Sequence, residues 1–203
     1  MHETELIKRP QLDYQVHSLI ASRWSPRAYD SKPVEPWKLQ QIFEAGRWAA
    51  SANNLQPWYF LVGYNGDEVF SKIFTTLAEF NRLWVANAPV LALAVAKTTN
   101  SRDELNKSYA YDLGQAVATL SLQAAEDGVH AHQMGGFDSE AAALSLNIPP
   151  DYKVLVAFTL GYLGDAENLH PNLTKLELTP RSRRPVSETV FTGSFGHKAD
   201  FLK

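Results

Sequence analysis

An α+β domain, with helices layered on both sides of a central mixed or antiparallel sheet, is the fold this sequence predicts. Three observations lead there. Segments with helical and with strand periodicity alternate over most of the 203 residues. Val90 to Ala96 is an unbroken apolar run behind Pro89, the pattern of a strand covered on both faces. Asn106 to Asp127 carries Leu113, Val117, Leu120 and Ala124 on one face, as a long helix would. A chain of this length accommodates one such domain, taken as the whole of 1–203 with short extensions at each end.

In chain order, Val16, Leu19 and Ile20 form the apolar stripe of a first helix that ends before Arg23. Pro36 suits the first turn of a second helix, followed at helical spacing by Leu39, Ile42 and Phe43. Tyr59 to Val62 predicts a strand, and Val69, Phe70, Ile73, Phe74 and Leu77 predict the helix after it. The apolar strand Val90–Ala96 and the helix from 106 to 127 come next. Ala110, Gly114, Ala116, Ala118 and Ala125 are small, so this long helix is expected to pack closely, against a partner helix if one is present. Val129 to His132 and Val154 to Tyr162 predict two more strands. Between them a helix starts near Asp138 and ends before Pro149-Pro150.

Composition narrows the function classes. Hydrophobic residues make up 45% and charged residues 20%, ordinary for a globular protein. A formal charge of −3 argues against nucleic acid or an anionic membrane as a general partner. There is no cysteine, which excludes disulfides and thiol catalysis. No apolar run reaches membrane-spanning length, and Met1-His2-Glu3-Thr4-Glu5 has neither the basic start nor the apolar centre of a signal peptide. A cytoplasmic location is the expectation. His130 and His132 would share one side of a strand, but without a third ligand nearby no metal is assigned to them. Gly-x-Ser-x-Gly, Walker and Gly-x-Gly-x-x-Gly patterns are absent, leaving serine hydrolysis, P-loop chemistry and a Rossmann nicotinamide site without support.

Three polar turns stand out between the apolar segments. They are Arg23-Trp24-Ser25-Pro26-Arg27-Ala28-Tyr29-Asp30, Ser51 with Asn53-Asn54-Leu55-Gln56-Pro57-Trp58, and Arg181-Ser182-Arg183-Arg184-Pro185. Five arginines fall in two of these turns of a slightly acidic chain, which suggests a shared anion. The amides and hydroxyls suggest a planar hydrogen-bonding ligand.

Together these segments resemble the nitroreductase-like flavoprotein family. The first matches its Arg-x-Ser-x-Arg/Lys-x-Phe/Tyr pattern through Arg23, Ser25, Arg27 and Tyr29. The second matches Ser-x-x-Asn-x-Gln-Pro-Trp through Ser51, Asn54, Gln56, Pro57 and Trp58. The third matches basic-x-Arg-x-Pro through Arg181, Arg183 and Pro185, and Gly135-Gly136-Phe137-Asp138 adds a short fourth element. The likeness runs from about Val16 to Phe191. Ala50 stands where many relatives have proline. Gly135 stands where some have glutamate, which leaves only a backbone contact there.

The resemblance implies a three-layer nitroreductase-like fold and a homodimer holding FMN at its interface. It implies an oxidoreductase that passes hydride or electrons from NADH or NADPH through FMN to a small acceptor such as a nitroaromatic, quinone or enone. Cofactor contacts are expected from Arg23, Trp24, Ser25, Arg27, Ser51, Asn54, Gln56, Gly135, Gly136, Arg181 and Arg183. The flavin would carry the hydride, so no catalytic side chain is assigned. Arg23, Arg181 and Arg183 are expected at the phosphate, Arg27 at the pyrimidine edge of the ring, and the Gly135-Gly136 backbone near N5. Two alternatives remain open: a flavin-fragmenting, dehalogenating or dehydrogenating relative on the same fold, and a non-catalytic or regulatory FMN-binding protein.

Overall fold

The computed structural model describes residues 3–202; Met1 and His2 of the amino-terminal stretch read above, and Lys203, lie outside the described residues. In chain order the helices are α1 (Glu3–Ile7), α2 (Ser18–Ser22), α3 (Pro36–Arg47), α4 (Glu68–Thr76), α5 (Glu79–Val85), α6 (Tyr109–Glu126), α7 (Ser139–Ser145) and α8 (Pro171–Glu177). The strands are β1 (Trp58–Tyr64), β2 (Val90–Lys97), β3 (His130–Met134) and β4 (Tyr152–Gly161). They form one four-stranded sheet in the order β1-β2-β4-β3.

All three strand pairs are antiparallel, so of the two sheet types expected the antiparallel one is realised. Both connections between sequential neighbours return the chain to the end of the strand it left: α4 and α5 lead from Tyr64 back to Val90, and α7 alone leads from β3 back to β4, where Met134 pairs with Ala157.

β2 is the centre of the core and is buried on both faces, as its unbroken apolar run requires. Leu91, Leu93 and Val95 pack with Phe70 and Ile73 of α4, Trp84 and Val85 of α5, and Leu173 of α8. Val90, Ala92, Ala94 and Ala96 face Leu39 and Ile42 of α3 and Leu113, Val117, Leu120 and Ala124 of α6. The result is three layers, helices–sheet–helices. Among the described residues no helix is long and apolar enough to cross a membrane.

Three helices, α1, α5 and α8, are not foreseen in the sequence pattern. Of the stripe expected on the first helix, Leu19 and Ile20 fall in α2 and Val16 lies before it; none of the α2 residues is buried, and Ile20 is 56% exposed. α6 falls within the expected limits, and the small residues divide between its faces. Ala116 and Ala124 are buried against the sheet, whereas Ala110, Tyr111, Gly114 and Ala118 form an exposed outer stripe.

Candidate functional site

Beyond α2 the chain runs extended through the first polar turn, so side chains alternate between two sides. Trp24, Pro26 and Ala28 are buried, and Arg23, Ser25 and Arg27 lie on the opposite, half-open side. Three unrelated parts of the fold hold this geometry. The Nδ1–H of His132 on β3 donates to the Pro26 carbonyl at 2.7 Å. The carboxylate of Glu177 at the end of α8 accepts the backbone N–H of Arg27 at 2.8 Å and of Ala28 at 3.0 Å. The Arg181 guanidinium donates to the carbonyls of Lys8 (2.6 Å), Arg23 (2.7 Å) and Ala21 (2.5 Å).

Two of the expected cofactor residues are engaged within the protein. The Trp24 side chain is only 4% exposed, edge-on to His130 at 5.9 Å, with the Lys8 ammonium 5.1 Å from its ring centroid. Extended backbone puts that ring on the opposite side from Arg23, Ser25 and Arg27. Arg181 was placed at the phosphate, yet three of its five donors are spent on carbonyls. It staples the turn to the residues before it. A cavity of about 490 Å³ lies on the Trp24 side, lined also by Lys8, His130 and Arg181; Arg23, Ser25 and Arg27 do not line it.

Arg23 and Arg183 remain as charged groups with donors to spare. Arg23 makes one long bond, 3.4 Å, to Ser25 Oγ, and Arg183 bonds the carbonyl of its own neighbour Ser182. Burial first, and then the charge of Arg183, draws Arg23 below the ordinary guanidinium range. Arg181 is lowered likewise, by burial and then by Arg23 and Arg183. Three cations thus feel one another, and among the described residues none of them is ion-paired with a carboxylate. Such a cluster is poised for a multiply charged anion.

β3 carries the chain from His132 to Gly135-Gly136, which is tied to α5. The Gly136 carbonyl accepts from Ala78 N–H and Asn81 Nδ2, both at 2.9 Å. A Cβ on Gly136 would meet Asn81 Nδ2 at 2.8 Å, whereas one on Gly135 would have nothing within 4 Å. Gly135 therefore presents bare backbone to open space, the kind of surface a flat ring can approach.

The Ser51–Gln56 loop stands apart. Asn53, Asn54 and Gln56 all have positive φ (51°, 54° and 47°), a conformation tolerated by asparagine but uncommon for glutamine. Ser51 Oγ accepts the Gln56 N–H at 3.1 Å, and the buried Asp112 of α6 accepts the Ala52 N–H at 3.1 Å. Asn54 and Gln56 are exposed. Among the described residues no hydrogen bond links this loop to the Arg23 turn. The chain brings Arg23, Ser25, Arg27 and Arg183 together and leaves Ser51, Asn54 and Gln56 elsewhere.

His132 is a structural residue. Buried between the turn and Trp84, whose ring lies 4.4 Å away, it has a pKa lowered to about 4, by burial first and then by Arg27 and Arg23. Its folded pKa lies below its unfolded one, so below pH 6.5 the unfolded chain binds a proton that the folded one refuses. Stability should fall as pH drops from about 6.5 to about 4, by on the order of 3 kcal/mol in all. Urea melts across that range check this. A His132→Asn variant should lose most of the slope, and an unchanged slope would contradict it.

The arrangement fits FMN. Its phosphate would meet Arg23 and Arg183, and its ring the open backbone at Gly135. Among the described residues the buried Nε of Arg27 has no partner, an orphaned donor of the kind a polar ring edge satisfies. Glu177, Asp112 and Asn81 were not foreseen, because each acts through tertiary contacts between remote segments.

The profile of the Nitroreductase family matches residues 20–80 and 67–162. The chain belongs to that family. The match takes in the Arg23 turn, the Ser51–Trp58 loop and Gly135-Gly136, while Arg181 and Arg183 lie beyond it. This nitroreductase-family chain is 31% identical over 137 residues to an uncharacterised 15.4 kDa protein of the ask 5′ region of Mycolicibacterium smegmatis, covering 66% of the chain and 92% of that protein. It is 25% identical over 156 residues to an Archaeoglobus fulgidus protein provisionally named NADH dehydrogenase/NAD(P)H nitroreductase, covering 75% and 87%. A crystal structure described as an oxidoreductase containing FMN superposes with a TM-score of 0.87 at 33% identity, over 93% of this chain and 96% of that one.

Proposed function

We propose that this protein is an FMN-dependent oxidoreductase that takes reducing equivalents from NADH or NADPH and delivers them to a small organic acceptor such as a nitroaromatic, quinone or enone. The observation that carries this reading is the pairing of Arg23 with Arg183, close enough to feel one another's charge and, among the described residues, without a paired carboxylate, beside an extended polar turn. Bound FMN would supply the redox chemistry, a ring that takes up and releases two electrons. The protein's own groups supply position and field. Arg23 and Arg183 hold the phosphate, Ser25 the ribityl chain or phosphate, and Arg27 the electron-rich pyrimidine edge. The Gly135-Gly136 backbone lies against the ring. The FMN-containing neighbour supports the cofactor, and the provisional name of the archaeal relative supports the nicotinamide donor.

Ser51, Asn54 and Gln56 enter the site from a second copy in this reading. Two features of the single chain support a homodimer. The loop presents exposed Asn54 and Gln56 while sharing no hydrogen bond with the Arg23 turn, and the outer face of α6 next to it is exposed. Tyr111 on that face is 73% exposed, and Leu105 before α6 and Trp48 at the end of α3 are 64% and 74% exposed, much apolar surface for a monomer to leave in water. Sedimentation should show a dimer with two flavins, and a stable FMN-loaded monomer would contradict the shared site.

Anaerobic mixing of the FMN-loaded protein with NADPH, and separately with NADH, tests the activity. Rapid bleaching of the flavin absorbance by at least one donor is expected, with recovery on adding a quinone or nitroaromatic. Flavin that stays oxidised with both donors would mark a binding protein without this catalysis.

A further inference from the structure

Among the described residues Glu177 has no exposed side-chain surface, and it lies at the last position of α8, about as deep as a carboxylate can be placed. One oxygen, Oε1, accepts two backbone N–H groups of the Arg23 turn, from Arg27 and Ala28. The other, Oε2, has no hydrogen-bond donor among the described residues and lies 3.9 Å from an Arg27 terminal nitrogen. Lys8 faces the same carboxylate; its ammonium, anchored on the carbonyls of Leu176 and Thr179, feels the Glu177 charge, and so does the buried Tyr29 hydroxyl. Burying a charge this completely is costly, and hydrogen bonds to the turn alone could be met by a neutral amide or by water. The arrangement instead places a carboxylate oxygen 3.9 Å from a terminal nitrogen of the one arginine that the flavin reading assigns to the ring.

We propose that Glu177 is a positioning residue that sets the redox poise of the bound flavin, by fixing the Arg27 backbone and by offsetting the Arg27 charge. The proposal rests on the FMN reading above. A flavin gains negative charge on reduction, so a cation at its edge favours the reduced state. A carboxylate behind that cation weakens the preference. Arg27 raises the midpoint potential, and Glu177 holds it down. The two residues therefore act with opposite sign, although both belong to one ion pair.

The experiment compares midpoint potentials of bound FMN in the parent, Glu177→Gln and Arg27→Gln, with FMN affinity and thermal melts measured alongside. Glu177→Gln keeps an oxygen for the two backbone N–H groups and removes only the charge. Its potential should move positive, by on the order of tenfold in the ratio of reduced to oxidised flavin affinity, which is ~30 mV for a two-electron couple. Its FMN dissociation constant should stay within a few-fold of the parent. Arg27→Gln should move negative. A Glu177→Gln protein that binds FMN with an unchanged or more negative potential would overturn the proposal, even where Arg27→Gln shifts as expected and the flavin reading stands. Should Glu177→Gln not accumulate, Glu177→Asp draws the charge back from Arg27 and should give a smaller positive shift; no shift there overturns the proposal equally. A parent chain that takes up no FMN sinks the flavin reading and this inference together, an outcome distinct from an FMN-loaded parent whose potential ignores Glu177.

Discussion

Replacing Arg23 and Arg183 together by alanine should weaken FMN binding by about a hundredfold or more. Each guanidinium–phosphate hydrogen bond contributes roughly 1.5–3 kcal/mol, so Arg183→Ala alone should raise the dissociation constant about ten- to a hundredfold. The two arginines are close enough to interact electrostatically, so their effects need not add, and the double variant is given only a lower bound. Arg183 is exposed and its one hydrogen bond among the described residues goes to a neighbouring carbonyl, so its loss should leave folding almost untouched. Arg181→Ala provides the contrast. Its side chain ties the carbonyls of Lys8, Ala21 and Arg23, so that variant should melt earlier and lose FMN only as the turn loosens. Fluorescence titration with FMN and thermal melts separate the two patterns. Parental affinity in the double variant would show that the anion lies elsewhere.

Trp84→Ala should be the most damaging single core change beside the site. The ring is fully buried, stacks on Tyr29 at 6.2 Å and lies against His132 at 4.4 Å. Truncating a buried tryptophan costs about 3–5 kcal/mol, a large share of the roughly 5–15 kcal/mol that holds a domain together. For a chain of this size that corresponds to a fall in Tm of about 10 °C. The site should suffer too, since His132 loses the ring that buries it, and its bond to Pro26, one of the three ties that hold the turn, is loosened. Calorimetry or urea melts check the cost, and a loss below about 1 kcal/mol would mean that the cavity closes without strain. Trp84→Phe, which keeps an aromatic plane, should cost less than half as much.

The elements that announced themselves in the sequence are those whose pattern is local. β2 is apolar throughout because both its faces are covered, and α3 begins at a proline suited to a first turn. α5 and α8 escaped because each is seven residues long and buries only two, too few for a period to emerge. The choice between a mixed and an antiparallel sheet was not legible, since strand–helix–strand alternation is compatible with either direction: α7 alone joins the antiparallel pair β3 and β4. At the site, the alternation of Arg23, Ser25 and Arg27 with Trp24, Pro26 and Ala28 was visible, but its consequence for Trp24 needed the extended backbone. Glu177 and Asp112 could not be picked out, because an acidic residue on a helix ordinarily faces water. Their partners lie 150 and 60 residues away. Arg181 carried the right residue type for a phosphate, yet its donors turn to carbonyls that only the folded chain brings within reach.

Titration of the purified protein with FMN, followed by denaturation and filtration, bears most directly on the claim that the arginine cluster is a flavin site. The expected result is a yellow protein holding one noncovalent FMN per chain, released intact on denaturation, with little retained by the Arg23→Ala, Arg183→Ala variant. A protein that is colourless as purified and takes up no added FMN would contradict the account at its centre.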